Sequence, residues 1–287
     1  MSLTKMMQGP HPVLAPLVLD PMMARMAEEA GFEALYLGGG ATGYQRIYLE
    51  ANLTLTELCQ TALEIRTSSR LPLIFDAAAG FGDPMHMHRT MGMTEAAGFA
   101  AIEVEDQLLP KRAHHHIGIE HMIPLEDMVD KIRELVRARR NPETHIIART
   151  IAVRSTNIDD AIRRCEAYKK AGADSLLLIP YTQEAVRYIG ERLEPPLVNI
   201  LKPGGLASLD MTAADLHGCG FRLLIDPATP LLAAYEAMKK VYAELATSGF
   251  AIRSRPQDDW TRLQKEQHKT VDLNMLIEIE KRTTEKP

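Results

Sequence analysis

The sequence predicts an α/β fold, a (β/α)8 TIM barrel, and three observations carry that expectation. Eight short apolar runs recur along the chain, each followed by an amphipathic stretch. The runs are almost continuously apolar rather than alternating, which marks parallel strands covered on both faces. Eight such pairs fit within about 250 residues, the usual length of one closed barrel. A doubly wound open sheet could use the same alternation, but no G-x-G-x-x-G follows the first run. The GGGATG after the second run is not that fingerprint.

In order, the strand-like runs are VLAPLVLD (13–20), ALYLGGG (34–40), PLIFDAAAGFG (72–82), AAIEVEDQ (100–107), HIIARTIA (145–152), SLLLIP (175–180), PLVNIL (196–201) and FRLLID (221–226). The helix-like stretches are PMMARMAEEAG (21–31), LTELCQTALEIR (55–66), DPMHMHRTMGMTEAAG (83–98), LEDMVDKIRELVRARR (125–140), NIDDAIRRCEAYKKAG (157–172), TQEAVRYIGERL (182–193), TAADLHGCG (212–220) and TPLLAAYEAMKKVYAELATSG (229–249). Several close on Ala-Gly before the next strand, as a left-handed helix end requires. Beyond the barrel, expected over residues 1–249, residues 250–287 read as two more helices with a hydrophobic seam. A helix added to a complete barrel must bury its apolar stripe somewhere. A partner subunit is the natural place, so the extension is expected to make a homodimer or homotetramer, its helices swapped between subunits.

The net charge of −5 and pI near 6.1 offer no electrostatic footprint for nucleic acid or an anionic membrane. Cys59, Cys165 and Cys219 are too few and scattered for a disulfide framework or zinc ribbon. The N-terminal MSLTKMMQGPHPV lacks a signal-peptide core, and no apolar run reaches membrane-spanning length. A soluble cytoplasmic protein is expected.

Barrel chemistry takes place at the C-terminal ends of the strands. The polar residues there are Asp20, Tyr36 with Gly38, Gly39 and Gly40, Asp76, Glu103, Glu105, Asp106, Gln107, Arg149, Thr150, Asn199 and Asp226. A carboxylate in an apolar strand needs a partner, because an unpaired buried charge is costly. Asp76 and Glu105 are either two hard oxygen donors for Mg²⁺ or structural partners of Arg149, Lys111 or a helix N-terminus. The Gly38–Gly40 backbone either approaches a substrate carboxylate or makes a tight turn. Arg149 is either a bidentate carboxylate clamp or a salt-bridge partner of Glu103 or Glu105. Asp226 reads as a helix cap. In VEDQLLPKRAHHHIG, consecutive side chains of an extended segment point opposite ways, so His114, His115 and His116 cannot all meet one metal. A zinc site would need Glu120, His121, His86 or His88 as well.

Taken together, these stretches resemble the isocitrate lyase/phosphoenolpyruvate mutase superfamily, which includes methylisocitrate lyase, phosphonopyruvate hydrolase and oxaloacetate decarboxylase. The resemblance spans roughly residues 13–247. EAGFEALYLGGG is similar to the strand carrying Y-x-S-G, and LPLIFDAAAGFG to D-x-D-x-G-[YF]-G. IEVEDQLLPKRAHHHIG is similar to I-E-D-Q…K-R-C-G-H…G-K, IIARTIA to A-R-T-D-A, and LVNI to the N-I segment. The resemblance implies a barrel with a swapped C-terminal helix, and Mg²⁺ with a 2-oxo or 2-hydroxy carboxylate. It also implies cleavage of a C–C or P–C bond through an enolate-like species. Asp76 and Glu105 would belong to the metal shell. Tyr36, Gly38, Gly39 and Gly40 would seat the substrate carboxylate, and Arg149 and Asn199 its oxygens. Lys111, Arg112 and His115 would lie on a mobile loop that closes over the site.

The departures from the family pattern share a direction: Ala78, Ala113, His114, Ile119, Ile151, Ile179 and Gly38 stand where acids, a catalytic thiol, an ammonium and other motif residues are usual. Losing second-shell anchors weakens a metal site, so Mg²⁺ is expected to bind weakly or not at all. With Ala113 in the thiol position, isocitrate and methylisocitrate are not the expected substrates. The expectation is a divergent lyase that cleaves or decarboxylates a small 2-oxo or 2-hydroxy acid, with His115 or His114 handling the proton. The alternatives are a barrel that has lost catalysis and only binds a carboxylate or partner, and a zinc-dependent hydrolase using the histidine loop.

Overall fold

The computed structural model describes residues 2–285, so residues 1, 286 and 287 of the expected domain ranges lie outside it. Eight strands, β1 (Val13–Pro16), β2 (Leu35–Leu37), β3 (Leu73–Asp76), β4 (Ala101–Glu105), β5 (His145–Arg149), β6 (Ser175–Leu177), β7 (Leu197–Ile200) and β8 (Phe221–Asp226), form one parallel sheet ordered β1-β8-β7-β6-β5-β4-β3-β2. The remaining seam is joined by a bridge between Leu17 and Tyr36, where the Val18 N–H donates to the Tyr36 carbonyl at 2.9 Å. The sheet is therefore a nearly closed (β/α)8 barrel. Every residue of β2 to β7 is buried, which explains why these strands read as continuous apolar runs.

The helices begin and end where their sequence chemistry places them. Asp20 accepts from Met23 N–H ahead of the helix Pro21–Glu29, and a Thr54–Glu57 capping box opens Leu55–Arg66. Gly172 ends Ile158–Ala171 with φ +109°. Asp226 accepts from the N–H groups of Ala228 and Thr229 at 3.1 and 2.9 Å, the expected capping role, and turns the chain into Thr229–Ser248.

Two expectations need correcting. The stretch 83–98 is broken into a 3-10 turn, Pro84–His86, and a helix, Met87–Ala96. The glycine-rich segment after β2 is not only a turn: Gly39–Gln45 is helical. Glycine is a poor helix former, but packing overrides propensity here. A Cβ at Gly43 would lie 2.8 Å from the backbone at Leu49 and Glu50, so this helix can pack against the next turn only with glycine.

One compact unit ends at Leu231 and a second begins at Leu232. The second contains the helices Gln257–Thr270 and Leu273–Thr283, the pair expected in the C-terminal extension. None of their residues is buried, and the Arg255 guanidinium lies 4.8 Å above the Trp260 ring. In the first unit the core packs around Tyr36, Phe75, Tyr168 and Phe221, with Phe75 stacked 4.4 Å from Phe99.

Asp106, one residue past β4, ties the barrel to its outer layer. Its carboxyl accepts from Thr150 Oγ1 (2.7 Å), Ile151 N–H (3.1 Å), Arg164 Nη1 (3.2 Å) and Tyr168 Oη (2.7 Å). Removing it leaves the buried Arg164 guanidinium with Asp160 as its remaining carboxylate and strips the Thr150, Ile151 and Tyr168 donors of their acceptor. Asp106→Ala is therefore expected to cost about 3–5 kcal/mol, read as a lowered urea midpoint with an unchanged slope.

Candidate functional site

Strand register builds the site. Asp76 on β3 stands opposite Glu103 on β4, and Glu105 stands opposite Arg149 on β5. Because side chains alternate along a strand, Glu103 and Glu105 face the same way. Arg149 donates from Nη1 to Glu103 Oε1 at 2.7 Å, and its Nε lies 3.2 Å from Glu105 Oε2. Tyr36 donates its hydroxyl to Glu103 Oε2 at 3.1 Å. Asp76 accepts from the Gly39 and Ala78 N–H groups, both at 3.0 Å. Of the open alternatives the geometry shows the pairing: Arg149 meets Glu103 and Glu105, and Asp76 is held by two backbone N–H groups, at the C-terminal ends of their strands.

Lys111 lies deeper than a loop residue should. It is buried, donating to Glu105 Oε1 at 2.7 Å and to Glu50 Oε2 at 2.5 Å. Glu50 was not among the expected site residues. It comes from a 3-10 turn, Glu50–Asn52, and no sequence motif marks it. A Cβ at Gly39 would stand 2.6 Å from Glu50 Oε1, so glycine there permits the approach. Three buried polar atoms here have no hydrogen-bond partner among the described residues: Glu50 Oε1 and both Nδ2 and Oδ1 of Asn199 on β7. Native interiors seldom leave such atoms unpaired, and a cluster of them points to room for a polar guest.

The electrostatics divide the glutamates. Burial pushes the Glu103 carboxyl up to about 8, helped by Asp76 and only partly opposed by Arg149. Burial pushes Glu105 the same way, but Arg149 and Lys111 overcome it and leave it at about 2. At neutral pH Glu105 holds the charge and Glu103 the proton. Burial raises Glu50, Lys111 is held above its ordinary value by Glu105 and Glu50 against its burial, and burial keeps the Tyr36 phenol un-ionised.

The histidine loop forms a 3-10 turn, Ala113–Ile117, closed by Gly118 at φ +83°. Its side chains diverge. His115 turns inward, with Nδ1 2.7 Å from Glu120 Oε2 and 2.8 Å from Gln107 Nε2. His116 Nδ1 meets the Tyr44 hydroxyl at 2.7 Å, while His114 and Arg112 are exposed. Burial, then Lys111, lowers His115 to about 4. His86 accepts from the Asp83 N–H and His88 pairs with Glu134. Among the described residues no three His, Cys, Asp or Glu side chains are grouped to hold a metal. This corrects the zinc reading: Glu120 meets His115, but His116 turns to Tyr44 and His86 and His88 have partners of their own, so no third ligand joins them.

The alkyl positions also fall into place. Ile151 and Ile179 line a small cavity beyond the ends of β5 and β6, together with Thr150, Val153, Arg154 and Tyr181. Ala113 is exposed, and no thiol replaces the one it lacks. Cys59 and Cys165 sit in the outer helices, where burial pushes Cys59 up to about 11 and Cys165 well above its ordinary value.

Comparison with known proteins bears on this geometry. The family model described as phosphoenolpyruvate phosphomutase matches residues 3–246. The 2-methylisocitrate lyase of Aeropyrum pernix is 36% identical over 239 residues, covering 83% of this chain and 76% of the relative. The 2,3-dimethylmalate lyase of Eubacterium barkeri is 34% identical over 240 residues, covering 81% of each. The solved phosphoenolpyruvate phosphomutase from Streptomyces platensis subsp. rosaceus matches with a TM-score of 0.87 over 98% of both chains, at 25% identity.

Glu103 gives the site a pH signature. Its folded-state value of about 8 lies above the ordinary 4.5, so the folded protein holds a proton that the unfolded chain releases. Its stabilising contribution is complete below about pH 4.5 and is lost as pH rises through 8. Glu103→Gln keeps an acceptor for Arg149 but cannot ionise. Its melting temperature relative to the unsubstituted protein is expected to climb by roughly 5 °C between pH 5 and 8.5. A difference that stays flat across that range would contradict the assignment.

Proposed function

This chain belongs to the phosphoenolpyruvate phosphomutase family, and from that premise we propose that it cleaves a C–C bond in, or decarboxylates, a small 2-oxo or 2-hydroxy carboxylic acid. The observation that carries the reading is the Asn199 amide, buried with neither Nδ2 nor Oδ1 hydrogen-bonded among the described residues, in a barrel mouth that also holds the buried Arg149 guanidinium. Arg149 and Asn199 bind the substrate carboxylate, with Tyr36 and the backbone of Gly38 and Gly40 at its edge. Gly39 N–H is engaged by Asp76 and contributes by holding that carboxylate in place. Lys111 keeps Glu105 ionised, His115 handles the proton, and exposed His114 and Arg112 lie toward solvent.

Mg²⁺ needs one or two carboxylates and completes its shell with water and substrate oxygens. Asp76 and Glu105 fit that donor chemistry, and Glu50 Oε1 adds a buried, unpartnered oxygen. Bound there, the ion would supply Lewis-acid stabilisation of an enolate-like oxygen. The fit is weak, because Glu105 already faces two cations and Ala78 offers no second carboxylate.

The lack of a thiol near Ala113 argues against isocitrate and 2-methylisocitrate as substrates. The alkyl lining at Ile151 and Ile179 suits a substrate bearing hydrogen or a small alkyl group where those acids carry a further carboxylate. The helices of residues 250–287 form the oligomerisation extension to a barrel of residues 1–249, in a cytoplasmic homodimer or homotetramer. Their exposed Met275, Leu276 and Ile277 support that role.

The test is turnover of 2,3-dimethylmalate, oxaloacetate and 2-methylisocitrate with Mg²⁺ or Mn²⁺, followed by release of a 2-oxo acid or CO₂. One of the first two should react and 2-methylisocitrate should not. Asp76→Ala should lower the rate at least about 100-fold and abolish any rise in melting temperature with millimolar Mg²⁺. No turnover, together with an Asp76→Ala variant that melts like the parent in Mg²⁺, would leave a carboxylate-binding barrel without catalysis.

A further inference from the structure

We propose that Glu120 is a positioning residue that fixes the His115 ring with its proton on Nδ1, making Nε2 the base that both removes the substrate hydroxyl proton and returns it to carbon. This rests on the lyase reading above and narrows it to a 2-hydroxy acid with a carboxylate at C3.

The argument begins with Glu120. Its side chain is fully buried, with Oε1 against the Arg154 guanidinium and Oε2 facing both His115 Nδ1 at 2.7 Å and Gln107 Nε2 at 2.8 Å. The contact with Arg154 favours the ionised carboxylate, which can only accept. Gln107 and His115 therefore both donate to it, although their nitrogens also lie 2.8 Å apart. An Nδ1 without a proton would face Oε2 lone pair to lone pair, so the imidazole proton belongs on Nδ1. Nε2 is left with a free lone pair and no hydrogen-bond partner among the described residues, while the ring stays in the field of Lys111, Glu105, Glu50 and Arg149. Lys111 and burial resist a standing positive charge on it. It is held neutral and ready to take a proton, the arrangement in which a buried carboxylate orients a histidine base.

The chemistry balances without any further reactant. Nε2 accepts the proton of the C2 hydroxyl, and the oxygen lone pair becomes the carbonyl of a 2-oxo acid. The C2–C3 bond breaks, and its electron pair passes to C3 and is delocalised into the C3 carboxylate as an enolate. The imidazolium then delivers the same proton to C3, which gives a saturated carboxylic acid and restores neutral His115. No thiol is needed, which matches Ala113 and the placing of Cys59 and Cys165 in the outer helices.

The experiment is ¹⁵N NMR of protein labelled at histidine, with His115 assigned as the signal missing from His115→Asn. At pH 7.5 the unsubstituted protein should show a pyrrole-type Nδ1 and a pyridine-type Nε2. In Glu120→Gln the population should move toward the Nε2–H tautomer. With 2,3-dimethylmalate as probe, that variant should lose about 100-fold in kcat with KM within about twofold, and Glu120→Asp should recover part of the loss. An Nε2–H or doubly protonated His115 in the unsubstituted protein overturns the proposal; this result needs no substrate, and correlation of the ring to its own backbone gives the assignment should His115→Asn fail to fold. Turnover that survives His115→Asn overturns the base while leaving the lyase reading intact. The predicted tautomer with no turnover of any tested acid overturns the lyase reading, and the base with it.

Discussion

The site depends on one constraint: a barrel interior cannot hold a lone charge, so Arg149 is divided between two glutamates on the neighbouring strand. The register of β4 against β5 fixes that division, because it sets Glu105 beside Arg149 and turns Glu103 to the same face. Lys111 extends the chain of opposite charges from Glu105 to Glu50, so residues from β4, β5, the loop after β4 and the turn after Gly39–Gln45 become one electrostatic unit. The division is unequal. Glu105, between two cations, stays charged, while Glu103 keeps its proton at neutral pH. A ligand carboxylate that comes to Arg149 therefore competes with a neutral acid at one side of the guanidinium, not with a second anion.

How much of this was legible in the sequence follows from the range of each interaction. The strands were legible because burial on both faces leaves an unbroken apolar run, and Asp76, Glu105 and Arg149 stood out as charges interrupting such runs. Asp226 was legible as a cap because its acceptors lie two and three residues away. Glu50 was not legible. Its importance comes from Lys111, 61 positions along the chain, and from a glycine that must lack a side chain to let it approach. The helix Gly39–Gln45 was hidden for the same reason, since its propensity argues against it and only packing supports it. Among the histidines, local geometry excluded convergence, but which ring would turn inward was decided by Glu120, itself seated by Arg154 on the far side of β5 in sequence.

In the family pattern that the sequence resembles, acids and a thiol are usual where Ala78, Ala113, Ile151 and Ile179 stand here, while the charges of the network itself are paired. At the mouth stand the buried Arg149 guanidinium, a glutamate that burial pushes up to about 8 and the His115 imidazole, with a small cavity at the ends of β5 and β6 that Ile151, Val153 and Ile179 share with Thr150, Arg154 and Tyr181. Under the proposed function, a pocket so composed would favour one bound carboxylate and offer little to a third, which is the physical basis for proposing a smaller and less acidic substrate.

The same thinning of charge bears on how protons move. With a separate acid and base, each group can be tuned to its own task, and a buried site holds them in opposite states. In the proposed reaction His115 is the base, because its far nitrogen has no hydrogen-bond partner among the described residues and its ring is held neutral by burial and Lys111. Lys111 and Arg149 hold their protons, and Glu103 engages its oxygens with Arg149 and Tyr36. A single base that takes a proton and gives it back must stay close to both the oxygen it deprotonates and the carbon it reprotonates. The ring cannot swing between them while Glu120 holds Nδ1, so the two substrate atoms must both come within reach of a fixed Nε2. Adjacent carbons of a 2-hydroxy acid meet that requirement, since the C2 oxygen and C3 are separated by a single atom. The rigidity of the Glu120–His115 contact and the shortness of the substrate are thus two sides of one geometric demand.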